Sequence, residues 1–153
     1  QVTVATETTE KQTLVVKGRL IAQKPEQTTI TGHSIVLTDN VFNPELVKIL
    51  QGGTIKYDSG EPTKVVGYTP PVVGSTDKGQ VFDLNAYSAI YDAAGIIQGY
   101  EKIKYPNCQG VPIALNSEDG VFRASEYTIN SAPTNGQAPY DMDIVKTLPT
   151  VEA

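Results

Sequence analysis

Alternation of apolar and polar residues with a period of two runs through much of this chain and constrains its fold more than any other feature. In the segment 81–91, residues of one parity are mostly apolar and residues of the other parity are mostly polar. Side chains of a β-strand point to alternate faces, so this pattern predicts a strand with one face toward a core. Alternation or β-branched runs predict further strands over 13–22, 28–38, 100–105, 111–116, 121–130 and 142–148. The chain is therefore predicted to be mainly β.

A single short helix over 44–51 is predicted to interrupt the strands. Asn43 is a favourable N-cap, and Pro44 suits the first helical position. Leu46 and Leu50 belong to an apolar stripe at helical spacing, and two consecutive glycines after the stripe end the helix. Two helical turns are not stable alone, so Leu46 and Leu50 are expected to pack the helix onto the sheet.

The segment 59–79 is predicted to be a long loop, because seven of its 21 residues are Gly or Pro. Connections of this length in a compact domain are usually functional or mobile. Two interpretations stay open: a plain surface loop, and a loop that becomes ordered against a neighbouring molecule. The N-terminus, about 1–12, is predicted to be flexible. A chain of 153 residues suits one domain. The predicted architecture is a single β-sandwich or barrel over 1–153 with one packed helix and this long loop.

The residues that carry most enzyme and metal chemistry are sparse. His33 is the only histidine and Cys108 the only cysteine, so the chain cannot form an internal disulfide. A lone His does not build the usual zinc site, and a nucleophilic thiol would need an imidazole nearby. The carboxylates show no EF-hand spacing, and the glycines form no phosphate-binding motif. We therefore expect no catalytic, cofactor-binding or metal-binding site, and a protein that is not an enzyme.

The formal net charge of −5 does not favour binding to nucleic acid or anionic membranes. No apolar run approaches the ~20 residues of a membrane helix. The chain has eight Tyr against three Phe and no Trp. Tyrosine is enriched at protein interfaces, but it is also a common strand residue. The composition thus leaves open whether these tyrosines serve an interface or the sheet itself.

Three stretches together resemble the tail tube proteins of tailed bacteriophages and of phage-tail-like bacteriocins. They are GHSIVLTDNVFNPELVKILQGG (32–53), YPNCQG (105–110) and EDGVFRASEYTINSAP (118–133). The resemblance covers most of the chain from Thr13 onward and is one of order and character. It implies a small β-sandwich or barrel with one helix beside it. It also implies subunits that close into hexameric rings, which stack into a hollow tube for genome or effector passage.

The resemblance also implies partners and surfaces. The partners would be further copies of the chain, other tail proteins such as tape measure and baseplate or sheath, and passing DNA bound without specificity, with no membrane. The location would be the virion tail, assembled in the bacterial host cytoplasm. The loop 59–79 falls where the family tends to carry its ring-stacking loop, so the candidate stacking residues are Gly67, Tyr68, Pro70, Pro71 and Gly74. An acidic lumen repels phosphates, so Asp83 and Asn85, on the polar face of a strand without Lys or Arg, are candidate lumen residues.

Two other classes of function compete with this interpretation. A β-sandwich binding module, such as a carbohydrate-binding or capsid-decorating domain, shares the strand content and the richness in Thr and Tyr. The absence of Trp counts mildly against sugar binding. A β-fold hydrolase would depend on His33 as its imidazole base. Size in solution discriminates the first two classes, because a binding module stays small whereas a tube protein forms rings or filaments.

Overall fold

The chain forms ten β-strands and one α-helix in the residues that the structure describes. The structure is a computed structural model, and it describes residues 1–16, 19–39, 42–113 and 125–150. The elements are β1 (Val2–Thr9), β2 (Gln12–Val16), β3 (Arg19–Lys24), β4 (Gln27–Asp39), α1 (Pro44–Gln51), β5 (Thr54–Tyr57), β6 (Val65–Thr69), β7 (Phe82–Tyr91), β8 (Ile97–Gly110), β9 (Ser125–Ser131) and β10 (Asp141–Val145). The mainly β architecture with one short helix is confirmed.

Six strands form one antiparallel sheet in the order β1-β4-β9-β8-β10, and β7 pairs with the other edge of β8. The long strand β8 is shared, because its residues 100–104 pair with β10 and its residues 108–110 pair with β9. Asn107 has φ 50° and lies at a bulge of β8 opposite Asp83. Such bulges bend a strand and increase its twist. The resulting curled sheet fits a sandwich-like or barrel-like fold.

The helix closes the core of this curled sheet. The side-chain carbonyl of Asn43 accepts hydrogen bonds from the backbone N–H groups of Glu45 and Leu46, as expected of an N-cap. Val47 and Leu50 are each 1% exposed. They belong to a buried cluster with Ile35, Tyr105, Cys108, Tyr127 and Ile129. Leu50 is therefore a core residue as predicted, whereas Leu46 is half-buried and packs against the rim of the core.

The predicted loop over 59–79 is wrong in its extent. Val65–Thr69 forms strand β6, which pairs with β5 in a separate antiparallel hairpin. The irregular stretches are thus the turn 58–64 and the connection 70–81. The high density of Gly and Pro in this segment led to the prediction of a loop, although the segment contains a strand that begins with two adjacent valines. Gly67 and Tyr68 consequently lie in a strand, and only Pro70, Pro71 and Gly74 lie in a connection.

The N-terminal segment, about 1–12, which is predicted to be flexible, contains a strand that the sequence patterns did not indicate. Strand β1 pairs with β4 from Val2↔Ile35 to Thr9↔Gln27. Its sequence, VTVATETT, is rich in Val and Thr, which suits a strand. The predicted strand over 13–22 is two strands, β2 and β3, which pair with each other. Of the predicted strands 111–116 and 121–130, the parts 114–116 and 121–124 lie outside the described residues.

Candidate functional site

The most exposed feature of the fold is a long β-hairpin at the N-terminal end of the chain. The pair Thr9↔Gln27 continues into the pair Gln12↔Lys24, so β1 with β2 forms one limb and β3 with β4 forms the other. We call residues 6–16 and 19–30 the hairpin arm. In the described part of the chain, the β4 residues 27–30 pair only with β1, because pairing of β4 with β9 begins at His33. The arm therefore extends beyond the sheet as a two-stranded ribbon.

The described side chains of this ribbon make no core of their own. Every residue of β1 is exposed, and so are the first five residues of β4. Ile30 of the arm is exposed, and so are Val2 and Val4, which precede the arm in β1. A single two-stranded hairpin is marginally stable at best in water, since it buries little surface. The arm is thus suited to gain its packing from another molecule.

A second exposed region lies at the opposite side of the sheet, where β7 and β10 are edge strands. In the described part of the chain, each of these strands pairs only with β8. Met142 and Ile144 of β10 are 55% and 75% exposed, and the β7–β8 turn adds the exposed side chains of Tyr91, Ile96 and Ile97. Exposed edge strands with apolar side chains invite pairing with another chain. This side of the sheet is the best candidate for lateral contacts.

The candidate lumen residue Asp83 has a local structural role. Its Oδ2 lies 3.0 Å from Lys104 Nζ in an ion pair that is about half exposed, and its Oδ1 accepts the backbone N–H of Asn107 at 3.2 Å. The hydrogen bond from Lys104 and the one from Asn107 hold the pKa of the Asp83 carboxyl below its usual value. Asp83 therefore supports the bulge of β8, whatever lies beyond this face.

The register shows what else shares the face of Asp83 and Asn85. Asn85 is opposite Lys104, and Tyr87 is opposite Lys102. On the other side of β8, Asp141 is opposite Lys104, and Asp143 is opposite Lys102. Because directly paired residues point to the same face, this face carries three carboxylates, Asp83, Asp141 and Asp143, and two amines, Lys102 and Lys104. The face is polar with a small excess of negative charge.

The candidate stacking residues divide into two groups. The Tyr68 hydroxyl donates to the Gly52 carbonyl and accepts from Gln51 Nε2 at 3.0 Å, so this side chain ties β6 to the end of α1. Gly67 faces Lys56 across the β5–β6 hairpin. Tyr68 therefore stabilises the subunit itself, and Gly67 is a residue of the β5–β6 hairpin. Pro70, Pro71 and Gly74 belong instead to the connection 70–81, which passes over the surface.

The connection 70–81 presents one apolar tip and is anchored at its far end. Ser75 N–H donates to the Val72 carbonyl at 3.0 Å, and Gly74 has φ 80°, which closes a tight turn with Val73 fully exposed. Asp77 accepts the Gly53 N–H at 3.2 Å, and Gln80 N–H donates to the Ile49 carbonyl at 2.9 Å. The anchored part holds the exposed tip in place beside α1.

A groove of about 680 Å³ lies between this connection and the helix. Its lining is mainly apolar and includes Phe42, Tyr68, Pro70, Pro71, Pro112 and Ile113. Gln51 spans its floor, because Gln51 Oε1 accepts the Ile113 N–H at 2.9 Å. The groove could accommodate an apolar side chain or a small ligand.

His33 and Cys108 both lie in the interior. His33 is 5% exposed, and its ring centroid is 5.3 Å from that of Tyr105 and 5.6 Å from that of Tyr140. Its Nδ1 is buried without a hydrogen-bond partner. The Cys108 thiol donates to the Tyr105 carbonyl, and burial raises the pKa of this thiol, which disfavours the nucleophilic thiolate. Both side chains act as packing groups.

In residues 1–16, 19–39, 42–113 and 125–150, no group of three or more His, Cys, Asp or Glu side chains could hold a metal ion. The helix that the structure describes there is too short to cross a membrane. The sequence matches no protein-family model and no curated protein.

Proposed function

We propose that this chain is a structural subunit of a phage tail tube, which assembles into stacked hexameric rings around a hollow channel. The observation that carries the proposal is the hairpin arm. All residues of β1 and the first five residues of β4 are exposed in their own subunit, although the two strands pair with each other. A ribbon of this kind is only marginally stable alone, so contact with a neighbouring copy supplies the missing packing.

Lateral contacts in a ring would use the open edges of the sheet. Strand β7 of one subunit and β10 of the next can pair through backbone groups that make no ladder within the described part of the subunit. This pairing would cover the exposed side chains of Met142 and Ile144. A head-to-tail contact closes a ring when the rotation between neighbouring subunits is a full turn divided by a whole number. The axial contact between rings does not close on itself, so further rings can be added to the stack.

The face with Asp83 and Asn85 is the proposed lumen face. Its three carboxylates exceed its two amines, so it repels phosphates weakly and offers few sites for counterion exchange with DNA. Asn85→Lys tests this assignment while keeping both partners of the Asp83–Lys104 ion pair and the Asn107–Asp83 hydrogen bond, although the new lysine lies opposite Lys104. In assembled particles, we expect Asn85→Lys to slow DNA ejection without altering assembly. Normal ejection would remove this face from the lumen.

The proposed partners are those of a tail: copies of the chain, a tape measure protein, and baseplate or sheath proteins, with DNA passing through unbound. The connection 70–81 remains the proposed stacking loop through Pro70, Pro71 and Gly74, with Val73 at its tip. Val73→Asp adds a charge to a fully exposed side chain. It should leave the thermal stability of the subunit unchanged and weaken stacking of rings. Unchanged stacking would exclude this turn from the contact.

The experiment that tests self-assembly compares the whole chain with an arm-shortened variant. Thr9 and Gln27 are cross-strand partners, so residues 10–26 can be replaced by Asn-Gly, which closes a two-residue hairpin turn. The buried cluster around Leu50 is untouched by this replacement. We expect the natural chain to sediment as large assemblies at high concentration, and the variant to stay folded by circular dichroism but to lose them.

A second candidate function is a β-sandwich binding module, such as a carbohydrate-binding or capsid-decorating domain. The apolar groove beside Pro70 and Pro71 is the observation that favours it. Such a module would sediment as a monomer or a small closed oligomer at every concentration, and shortening the arm would not change its size. Equal sedimentation of the two forms would therefore favour the binding module over the tube subunit.

A further inference from the structure

The turn between β7 and β8 presents three exposed apolar side chains on an ordered frame. These side chains are Tyr91, Ile96 and Ile97, and we call them the hairpin knob. The Asp92 carboxylate accepts two backbone N–H groups of the turn, that of Ile96 at 2.9 Å among them, and the side-chain amide of Gln98 at 2.9 Å. Because the turn is already held in one conformation, bringing the knob into a contact costs little further ordering.

The apolar groove beside α1 suits an apolar occupant. Its three polar side chains, Gln51, Tyr68 and Asp77, already make hydrogen bonds within the subunit. The rest of its lining is apolar and includes Pro70, Pro71, Val73 and Pro112. A site whose polar groups are satisfied internally offers little to a polar ligand, whereas its apolar walls gain from covering.

The knob and the groove lie at opposite ends of the sheet. Strands β4 and β8 both run antiparallel to β9, so they run parallel to each other. The knob lies at the start of β8, and the groove is lined by Pro112 and Ile113, which follow the end of β8. The 14 residues of β8 span up to about 46 Å at ~3.3 Å per residue. The hairpin arm joins the start of β4 and thus lies at the same end as the knob.

We infer that the hairpin knob of one copy of this chain inserts into the apolar groove of the next copy, head to tail. This inference rests on the proposed function and specifies residues that make the contact between rings. The knob lies at the end of β7 and β8, so pairing of strand edges within a ring leaves it free. The groove is lined in part by the proposed stacking loop, the connection 70–81. A contact between two different surfaces of one chain does not close on itself in a dimer, so it propagates into a stack.

The size of the contact explains why it needs a ring. A large aromatic side chain buries about 150–250 Å², and even three side chains at the upper value stay below the roughly 800 Å² per partner of a stable interface. One knob in one groove is therefore too small to hold two free subunits together. Between two rings, the contacts of all subunits act together, so rings stack although single subunits do not form stable pairs through the knob.

Disulfide trapping tests the contact directly. Ile96→Cys with Val73→Cys places one thiol on the knob and one at the groove. A disulfide needs Cα atoms within about 7 Å, and the two ends of β8 are much farther apart, so this bond joins two copies. The natural Cys108 is fully buried and does not compete. Under mild oxidation at high protein concentration, we expect a ladder of cross-linked multimers on a non-reducing gel. Absence of the ladder would overturn the inference.

The matched control places the second thiol outside the contact. Asn135 is exposed in a turn that is hydrogen-bonded through Gln137 to Asn107, part-way along β8, so Ile96→Cys with Asn135→Cys should give no ladder. Equal ladders from both pairs would mean random collision and would overturn the inference.

Substitution by aspartate gives a second measurement without cross-linking. Ile96→Asp would bring a charge into the apolar groove and should weaken association in sedimentation velocity by about tenfold or more. Asn135→Asp adds the same charge outside the contact and should leave association unchanged. Both side chains are exposed, so circular dichroism should show a folded subunit in each case. Equal weakening by the two variants would mean a general charge effect and would count against the inference.

The outcomes separate this inference from the proposed function. Tubes that form normally with Ile96→Asp, and no ladder, would overturn the inference and leave the tube proposal standing. A ladder of linear multimers that never produces closed rings would support the inference and refute the tube proposal. An apolar dye whose binding is lost in Val73→Asp, with no ladder at any concentration, would assign the groove to a small apolar ligand and overturn the inference.

Discussion

Truncation of Leu50 to Ala tests the packing of the helix on the curled sheet. Leu50 is 1% exposed and lies in the buried cluster with Val47, Tyr127 and Ile129. The change removes three carbons, worth about 2.4 kcal/mol of transfer free energy at ~0.8 kcal/mol each. The cavity left behind adds to this, because the backbone of Gly79 and of Gly110 approaches Leu50 closely and has little room to collapse inward. We expect a total loss of about 3–4 kcal/mol of unfolding free energy.

The neighbouring positions provide a graded comparison. Leu46 is half-buried at the rim of the core, so Leu46→Ala should lower the free energy of unfolding by about 1–2 kcal/mol. Ile49 is 39% exposed, so Ile49→Ala should lower it by less than about 1 kcal/mol. Urea unfolding, followed by far-UV circular dichroism or tyrosine fluorescence, gives these values at protein concentrations where the chain is monomeric. For a chain of this size, the Leu50 variant should melt about 10 °C lower. A Leu50 loss no larger than that of Ile49 would refute the packing described for α1.

Three further outcomes follow from the described contacts. Gly79→Ala should destabilise the subunit by about 1–3 kcal/mol in urea unfolding, because a Cβ there meets the backbone of residue 50, whereas Gly67→Ala, with ordinary contacts only, should be close to neutral. The pKa of Asp83 is lowered in the folded state, so the carboxylate stabilises the fold above pH 3.8, and this contribution is lost as the pH falls through the lower folded pKa. In Asp83→Asn, the free energy of unfolding should therefore fall less steeply as the pH is lowered through this range. The pKa of Cys108 is raised by burial, so a thiol reagent should modify it only on unfolding, and rapid modification of the native chain would contradict its burial.

Local rules were sufficient to predict the helix. Its N-cap, its first proline and its terminating glycines act within a few residues, and the helix begins at Pro44 and ends at Gln51 as predicted. The strand 81–91 was predicted nearly as well, because its alternation is regular and β7 covers Phe82–Tyr91. Short-range signals of this kind do not depend on the partner strand.

Features set by distant pairing were not predictable in the same way. The pairing of β1 with β4 joins residues up to 33 positions apart, and the local sequence of the N-terminus gives no register. The net charge of the proposed lumen face could not be predicted for the same reason. Strand β7 has no Lys or Arg, but its neighbour β8 places Lys102 and Lys104 on that face. The composition of a sheet face is a property of the pairing, and one strand alone does not reveal it.

The direct measurement of the central claim is cryo-electron microscopy of the purified natural chain at high concentration. The proposal predicts hollow tubes of stacked rings. The hairpin arm of each subunit should lie against a subunit of the adjacent ring, and β7 of one subunit should pair with β10 of its neighbour in the same ring. Particles that remain monomeric, or that form closed dimers with the arm projecting into solvent, would contradict it.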